Sequence, residues 1–286
     1  MVEVRRAQTY AGFCGGVKRA WNRAVKASQA TDGPVLLSGK MIHNTPAMRE
    51  LASMGVREAT AADLEGETTG QTYVMRAHGE GPAAFEAARA RGFNVIDATC
   101  PIVTAVQKIA VQLEEDGFQV VLFGHRDHPE ARATVAYTKR GLIIESTEDA
   151  RALPYYPKLA SIAQTTVLQA DYVDVVAALR ERADVFEDRG RVCGWTLHAQ
   201  DEALALAREV DAMVVVGGRD SSNTIQLVRV CETACPTFHI ESPDELQAGW
   251  FAASSVVGVV AGASTREVDI QRVIAFVSAL PSPVAA

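Results

Sequence analysis

The chain has 286 residues, 48% of them apolar and 22% charged, with a formal charge of −7. This composition suits a globular protein with a sizeable core, and the acidic balance argues against a broad nucleic-acid footprint, which needs a basic surface. No run reaches the roughly 18 uninterrupted apolar residues of a membrane span.

The N-terminal stretch MVEVRRAQTYAGFCGG has two arginines but no apolar segment after them, so a cytosolic location without a secretory leader is expected. After Cys14, VKRAWNRAVKASQA places Val17, Ala20, Trp21, Ala24 and Val25 on one face of a helix. The apolar run in PVLLSGKMIHN (34–44) reads as a buried strand leading to His43, and TYVMRAHG as a second strand ending at His78. After Cys100 comes Pro101, the favoured first residue of a helix, followed by an apolar stripe of Ile102, Val103, Val106, Ile109, Ala110 and Leu113. Gly117 is placed to end that helix. The strand in QVVLFGHRDHPE (119–130) leads to His128 and Glu130, and LASIAQTT ends at Thr165 and Thr166. After Cys193, ALALAREV completes a third helix; the strand in AMVVVGGRDSSN (212–223) leads to Ser221, Ser222 and Asn223, and VGVVAGAST ends at Ser264.

These landmarks repeat. Aligning Gly39, Gly124 and Gly217 puts His43, His128 and Ser221 each four residues later. Cys14, Cys100 and Cys193 precede the three glycines by 25, 24 and 24 residues, and precede His78, Thr165 and Ser264 by 64, 65 and 71. Helices alternating with continuous apolar strands imply parallel sheets covered on both faces. The expected fold is therefore α/β: three small parallel-sheet units in pseudo-three-fold arrangement around a central site. They span 12–98 with Cys14, 99–191 with Cys100 and 192–275 with Cys193, with a short tail at 276–286. Ligands of parallel sheets sit at the carboxyl ends of strands, where all the repeated polar slots fall.

Three cysteines brought together make a metal ligand set, each just before a helix N-terminus, where the dipole favours thiolate. Structural zinc normally uses short-spaced cysteine pairs, unlike separations of 86 and 93 residues. Thiolates also hold iron–sulfur clusters, and three of them leave one iron of a 4Fe–4S cluster without a protein ligand. Cys231 and Cys235 lie outside the repeat and read as packing residues. His43, His78, His128, Ser221, Ser222, Asn223 and Ser264 suit a polyanion such as a diphosphate. His125, His198 and His239 read as structural. No GxxxxGK[ST] loop is present, so a P-loop nucleotide site is not expected. Glu130, the only carboxylate among the aligned slots, is placed to donate a proton, with Thr165 as a hydroxyl relay.

In order, GFCGGVKRA, IHN, AHG, DATCP, HPE, QTT, GGRDSSN and AGAST resemble the motifs of the 4-hydroxy-3-methylbut-2-enyl diphosphate reductase family, also called IspH or LytB, over about residues 10–275. The resemblance implies a 4Fe–4S cluster on Cys14, Cys100 and Cys193. It also implies an allylic diphosphate held by His43, His78, His128, Ser221, Ser222, Asn223 and Ser264. Glu130, Thr165 and His128 would act in catalysis, and a ferredoxin or flavodoxin would serve as electron donor. Two electrons delivered singly would give an allyl anion whose protonation yields isopentenyl and dimethylallyl diphosphates. Three positions depart from the family pattern: Trp195 replaces a small residue, Ala199 an arginine, and Arg266 stands where proline is common. They leave open a paralogue with another allylic or hydroxylated substrate. A cluster-bearing sensor without turnover would need the cysteines but not Glu130, Thr165 and a full anion set.

Overall fold

A computed structural model of the chain describes residues 1–66 and 68–282. Residues 283–286 of the expected C-terminal tail lie outside the described residues. The chain divides into two compact units: Arg19–Met41 with Leu51–Cys193, and Met1–Lys18 with Ile42–Glu50 and Gly194–Ala286.

The larger unit holds two four-stranded parallel sheets. In the first, β2 (Val35–Leu37), β3 (Val56–Glu58), β4 (Thr72–Met75) and β5 (Asn94–Asp97) lie in the order β3-β2-β4-β5. In the second, β6 (Gln119–Phe123), β7 (Leu142–Ile144), β8 (Tyr156–Ala163) and β9 (Ala183–Asp188) lie in the order β7-β6-β8-β9. The smaller unit holds β10 (Ala212–Val216), β11 (Thr237–Ile240) and β12 (Val256–Ala261), with β1 (Glu3–Arg6) as the strand beyond β12. Its order, β11-β10-β12-β1, repeats the other two. The fourth strand here comes from the chain start, Glu3 facing Val256, in a stretch ahead of every expected unit.

The strands foreseen from continuous apolar runs are the central pair of each sheet: β2 and β4, β6 and β8, β10 and β12. Val35–Leu37 and Ala212–Val216 are wholly buried, because helices on both faces exclude water. Outer strands such as Val56–Glu58 and Ala183–Asp188 are mixed in composition and mostly exposed or half-buried. Neither of these two carries a continuous apolar run to read.

Three helices follow the three cysteines: α1 (Gly15–Gln29), α5 (Pro101–Glu115) and α9 (Gly194–Ala207). Helix α5 behaves as its sequence demands. Cys100 is its extended N-cap residue and Pro101 its first residue. At its end Gly117 takes a φ of +85° while Phe118 N–H donates to the Leu113 carbonyl at 3.0 Å. Val103, Val106, Ala110 and Leu113 are buried on the sheet, but Ile102 is not part of that stripe: it is 45% exposed, one position too far around the helix. No helix among the described residues is long and apolar enough to cross a membrane.

Candidate active site

In the larger unit, six expected site residues lie at strand carboxyl ends or the helix starts that follow them. His128 is the extended N-cap of α6 (Pro129–Val135), and its Nδ1 accepts from the Glu130 N–H at 3.2 Å. In the neutral ring the proton is then on Nε2. The His78 ring stands edge-on to that of His128, centroids 5.4 Å apart. The His78 loop is tied to the α5 start by Cys100 N–H donating to the Ala77 carbonyl at 2.9 Å. Gly79 makes this approach possible. It holds φ +81°, and a Cβ there would meet Gln107 Nε2 at 2.8 Å and Thr99 at 3.1 Å.

Glu130 is 3% exposed and shares its carboxylate with one residue. Thr165 N–H donates to Oε1 at 2.6 Å and Thr165 Oγ to Oε2 at 2.9 Å. Burial drives the Glu130 carboxyl up to about 7, although both Thr165 bonds pull the other way. A carboxyl near 7 is poised to give up a proton at neutral pH. The Thr165 carbonyl in turn accepts from Cys193 N–H at 2.9 Å. Cys100 feels the charges of both Glu130 and Cys193, which puts both cysteines and the acid in one neighbourhood.

The smaller unit gathers the remaining six. Cys14 N–H donates to the Ala263 carbonyl at 3.0 Å, fastening the start of α1 beside Ser264. Ser264 Oγ donates to the His43 carbonyl at 3.0 Å. His43 Nδ1 lies 3.1 Å from an Asp220 carboxylate oxygen. Asp220 escaped the sequence reading, although it sits inside GGRDSSN directly before Ser221; nothing in a linear pattern distinguishes an orienting acid from a solvated loop acid. Ser221 caps α10 (Ser222–Glu232), its Oγ accepting from Thr224 N–H at 3.4 Å. The second glycine of GGRDSSN allows this loop to touch the His43 segment, because a Cβ on Gly218 would lie 2.5 Å from the His43 carbonyl. Ser221, Ser222, Asn223 and Ser264 are all buried. Neither the nitrogen nor the oxygen of the Asn223 amide has a hydrogen-bond partner among the described residues. A buried amide left in this way is a group arranged for a polar ligand.

All five cysteines are thiols. At Cys14, Val17 N–H donates to Sγ at 3.4 Å. At Cys100 the Ile102 and Val103 N–H groups favour the thiolate, though burial outweighs them and the thiol is pushed up. A ligand sulfur supported by helix N–H donors suits a thiolate that gives its proton up to a metal, and the donor set fits an iron–sulfur cluster. Cys231 has no such support. It is fully buried against Ala203 and Leu227, in a cluster with Cys235 at its edge, as the packing expectation had it.

The LytB protein family profile matches residues 4–278. The chain belongs to the LytB family. A relative from Geobacter sulfurreducens, named 4-hydroxy-3-methylbut-2-enyl diphosphate reductase, is 41% identical over 92% of this chain and 93% of its own. One of the same name from an Anaeromyxobacter species is 37% identical over 99% of each. A solved structure of (E)-4-hydroxy-3-methyl-but-2-enyl diphosphate reductase, described as the terminal enzyme of the non-mevalonate pathway, superposes with a TM-score of 0.72. It is 34% identical and covers 97% of this chain and 99% of that one. The Plasmodium falciparum enzyme, at 23% identity, shares the fold with a TM-score of 0.89 over 96% of this chain and 87% of its own.

The structure accounts for the three departures from the LytB pattern within the smaller unit. The Trp195 ring packs edge-on to Tyr10, centroids 6.1 Å apart, against the apolar cluster of Ala7, Ala203 and Val215. Ala199 is buried in the same cluster, where an arginine would need a partner. Arg266 pairs with Glu50 at 2.6 Å and with Asp269 at 2.7 Å, joining α2 (Thr45–Ser53) to the start of α11 (Glu267–Ser278).

Proposed function

We propose that this protein removes the allylic hydroxyl of 4-hydroxy-3-methylbut-2-enyl diphosphate by two-electron reduction, giving isopentenyl and dimethylallyl diphosphates. Cys14, Cys100 and Cys193 supply the thiolates of a 4Fe–4S cluster, which when bound contributes one-electron reduction and Lewis acidity. His43, His78, His128, Ser221, Ser222, Asn223 and Ser264 hold the diphosphate, and Asp220 orients the His43 ring. Glu130 holds the proton that leaves with the hydroxyl as water, and Thr165 relays it. A ferredoxin or flavodoxin of the cytosol supplies the electrons.

The observation that carries this reading is the Glu130–Thr165 pair: a buried carboxyl near 7, bonded twice to one threonine whose carbonyl accepts from Cys193. A sensor has no use for a proton donor held in this way. A paralogue with a reshaped pocket gains no support from Trp195, whose ring packs on the core.

The test is anaerobic reconstitution followed by steady-state turnover with the diphosphate substrate and a chemical reductant. Wild type turns over; Glu130→Gln keeps its iron and binds substrate but loses about 10²–10⁴-fold in rate. A wild type that carries the cluster and binds diphosphate yet makes no product overturns the proposal.

A further inference from the structure

The reductase reading requires electrons from outside the chain, and the surface beside Cys100 is built to receive their carrier. A groove of about 360 Å³ in the larger unit is lined by Arg19 and Arg23 of α1, by Thr104 and Lys108 of α5, and by Asp97, Thr99 and Pro101. Thr99 and Pro101 are the two neighbours of Cys100 in the chain. The groove therefore opens at the helix start that carries one of the proposed cluster cysteines.

Its charge is unbalanced. Arg19 and Arg23 stand four residues apart on α1, and Lys26 continues the same face at seven. Among the described residues, none of these three, nor Lys108, makes an ion pair or a side-chain hydrogen bond. The one lining acid, Asp97, accepts from Thr99 N–H at 2.9 Å and faces three lining cations, so the groove keeps an excess of positive charge. A second groove in the same unit shows the contrast. There Arg76 pairs with Glu80 at 2.7 Å, and Arg132 lies 3.9 Å from Asp127, so its cations are answered from within. An unanswered basic cluster on a chain of net charge −7 is a local field of opposite sign to the whole.

The groove also has apolar lining, Pro101 and Ala105. Pro101 and Ala105 are exposed on α5, and Ile102 is 45% exposed beside them. Exposed apolar groups set among basic ones are the anatomy of a protein–protein contact.

Resting on the reductase reading, we infer that this groove docks a small acidic one-electron carrier protein and that Arg19, Arg23 and Lys108 select it. Each turnover replaces a C–OH by C–H and releases water, taking up two electrons and two protons. Two reduced carriers dock in succession, and each leaves oxidised by one electron. The basic rim steers the carrier in, and the exposed turn at Pro101–Ile102 brings it next to Cys100.

The test uses the cluster-loaded protein and its Arg23→Glu, Lys108→Glu and doubly substituted variants, with Arg23→Ala as a milder change. Arg151→Glu, on the exposed face of α7 (Thr147–Ala152), is the charge-matched control. The probe is an acidic ferredoxin or flavodoxin, whichever sustains the faster wild-type turnover. Three quantities are measured: carrier Kd by direct binding as a function of salt, carrier KM, and turnover driven by dithionite and methyl viologen. The expected result is a rise in carrier Kd and KM of about ten-fold or more for the double variant, with a shallower salt dependence. Iron content and dye-driven turnover stay at wild-type level. Unchanged carrier affinity in the double variant, or an equal loss in Arg151→Glu, overturns the assignment. Absence of dye-driven turnover in the wild type strikes the reductase reading instead, and the binding titration still judges the groove.

Discussion

Cys100 and Cys231 are the same residue in two environments. Both thiols are pushed up, and burial is the main cause for each. Around Cys100, however, two helix N–H groups support a thiolate, Glu130 and Cys193 lie within electrostatic reach, and the neighbouring Pro101 is exposed. Around Cys231 the described neighbours are mostly apolar, an Ala203 carbonyl lies 4.0 Å from Sγ, and the charges within reach, Cys235 and Glu232, push the thiol further up with no N–H donor to oppose them. Its thiol is pushed up to about 12. A cysteine's role follows from the donors and charges its fold aims at it more than from its burial.

The sharpest way to break the comparison is iron content. Cys100→Ser is expected to lose most bound iron after anaerobic reconstitution and Cys231→Ser to keep it; equal loss from both removes the ligand assignment. A smaller effect concerns reactivity. With its thiol near 12, Cys231 is ionised to only roughly 10⁻⁴ at pH 8. Mass-spectrometric mapping of iodoacetamide labelling should find half-buried Cys235 modified before Cys231, and labelling of Cys231 should rise about ten-fold per pH unit. The sign for stability follows from the same shift. The folded chain holds a proton that the unfolded chain releases above about 9, so this thiol withdraws stability as pH rises from about 9 towards 12.

The smallest effect is packing itself. Cys231→Ser puts a hydroxyl among apolar side chains and should cost about 1–3 kcal/mol in denaturant unfolding. Cys231→Val, close in volume, should stay within about 1.5 kcal/mol. A Cys231→Ser protein as stable as wild type would mean that the site holds a polar partner for the hydroxyl.

Much of the fold was legible because its central strands are covered on both faces: Val35–Leu37, Gln119–Phe123 and Ala212–Val216 had to be continuous apolar runs. Their outer neighbours were not legible, since a strand such as Ala183–Asp188 meets water and takes mixed residues. The candidate site was legible where motif positions coincided with strand ends and helix starts, as at Cys100, His128 and Ser221. It was silent where a role depends on orientation. Asp220 became a partner of His43 through a tight loop at Gly218, and Ile102 turned to the surface through its angular position on α5.

By itself the sequence determined the repeat, the helix start at Pro101 and stop at Gly117, and the set of groups with chemistry to offer, because each of these rests on local backbone preference or on residue identity. Only the tertiary structure decided that Val4 and its neighbours extend the last sheet and that Thr165 donates both its N–H and its hydroxyl to Glu130. It alone gathered Arg19, Arg23 and Lys108 round one groove, where among the described residues none of them makes an ion pair. Strand pairing, burial and the balance of charge are set by residues distant in the chain, and no window of sequence contains them.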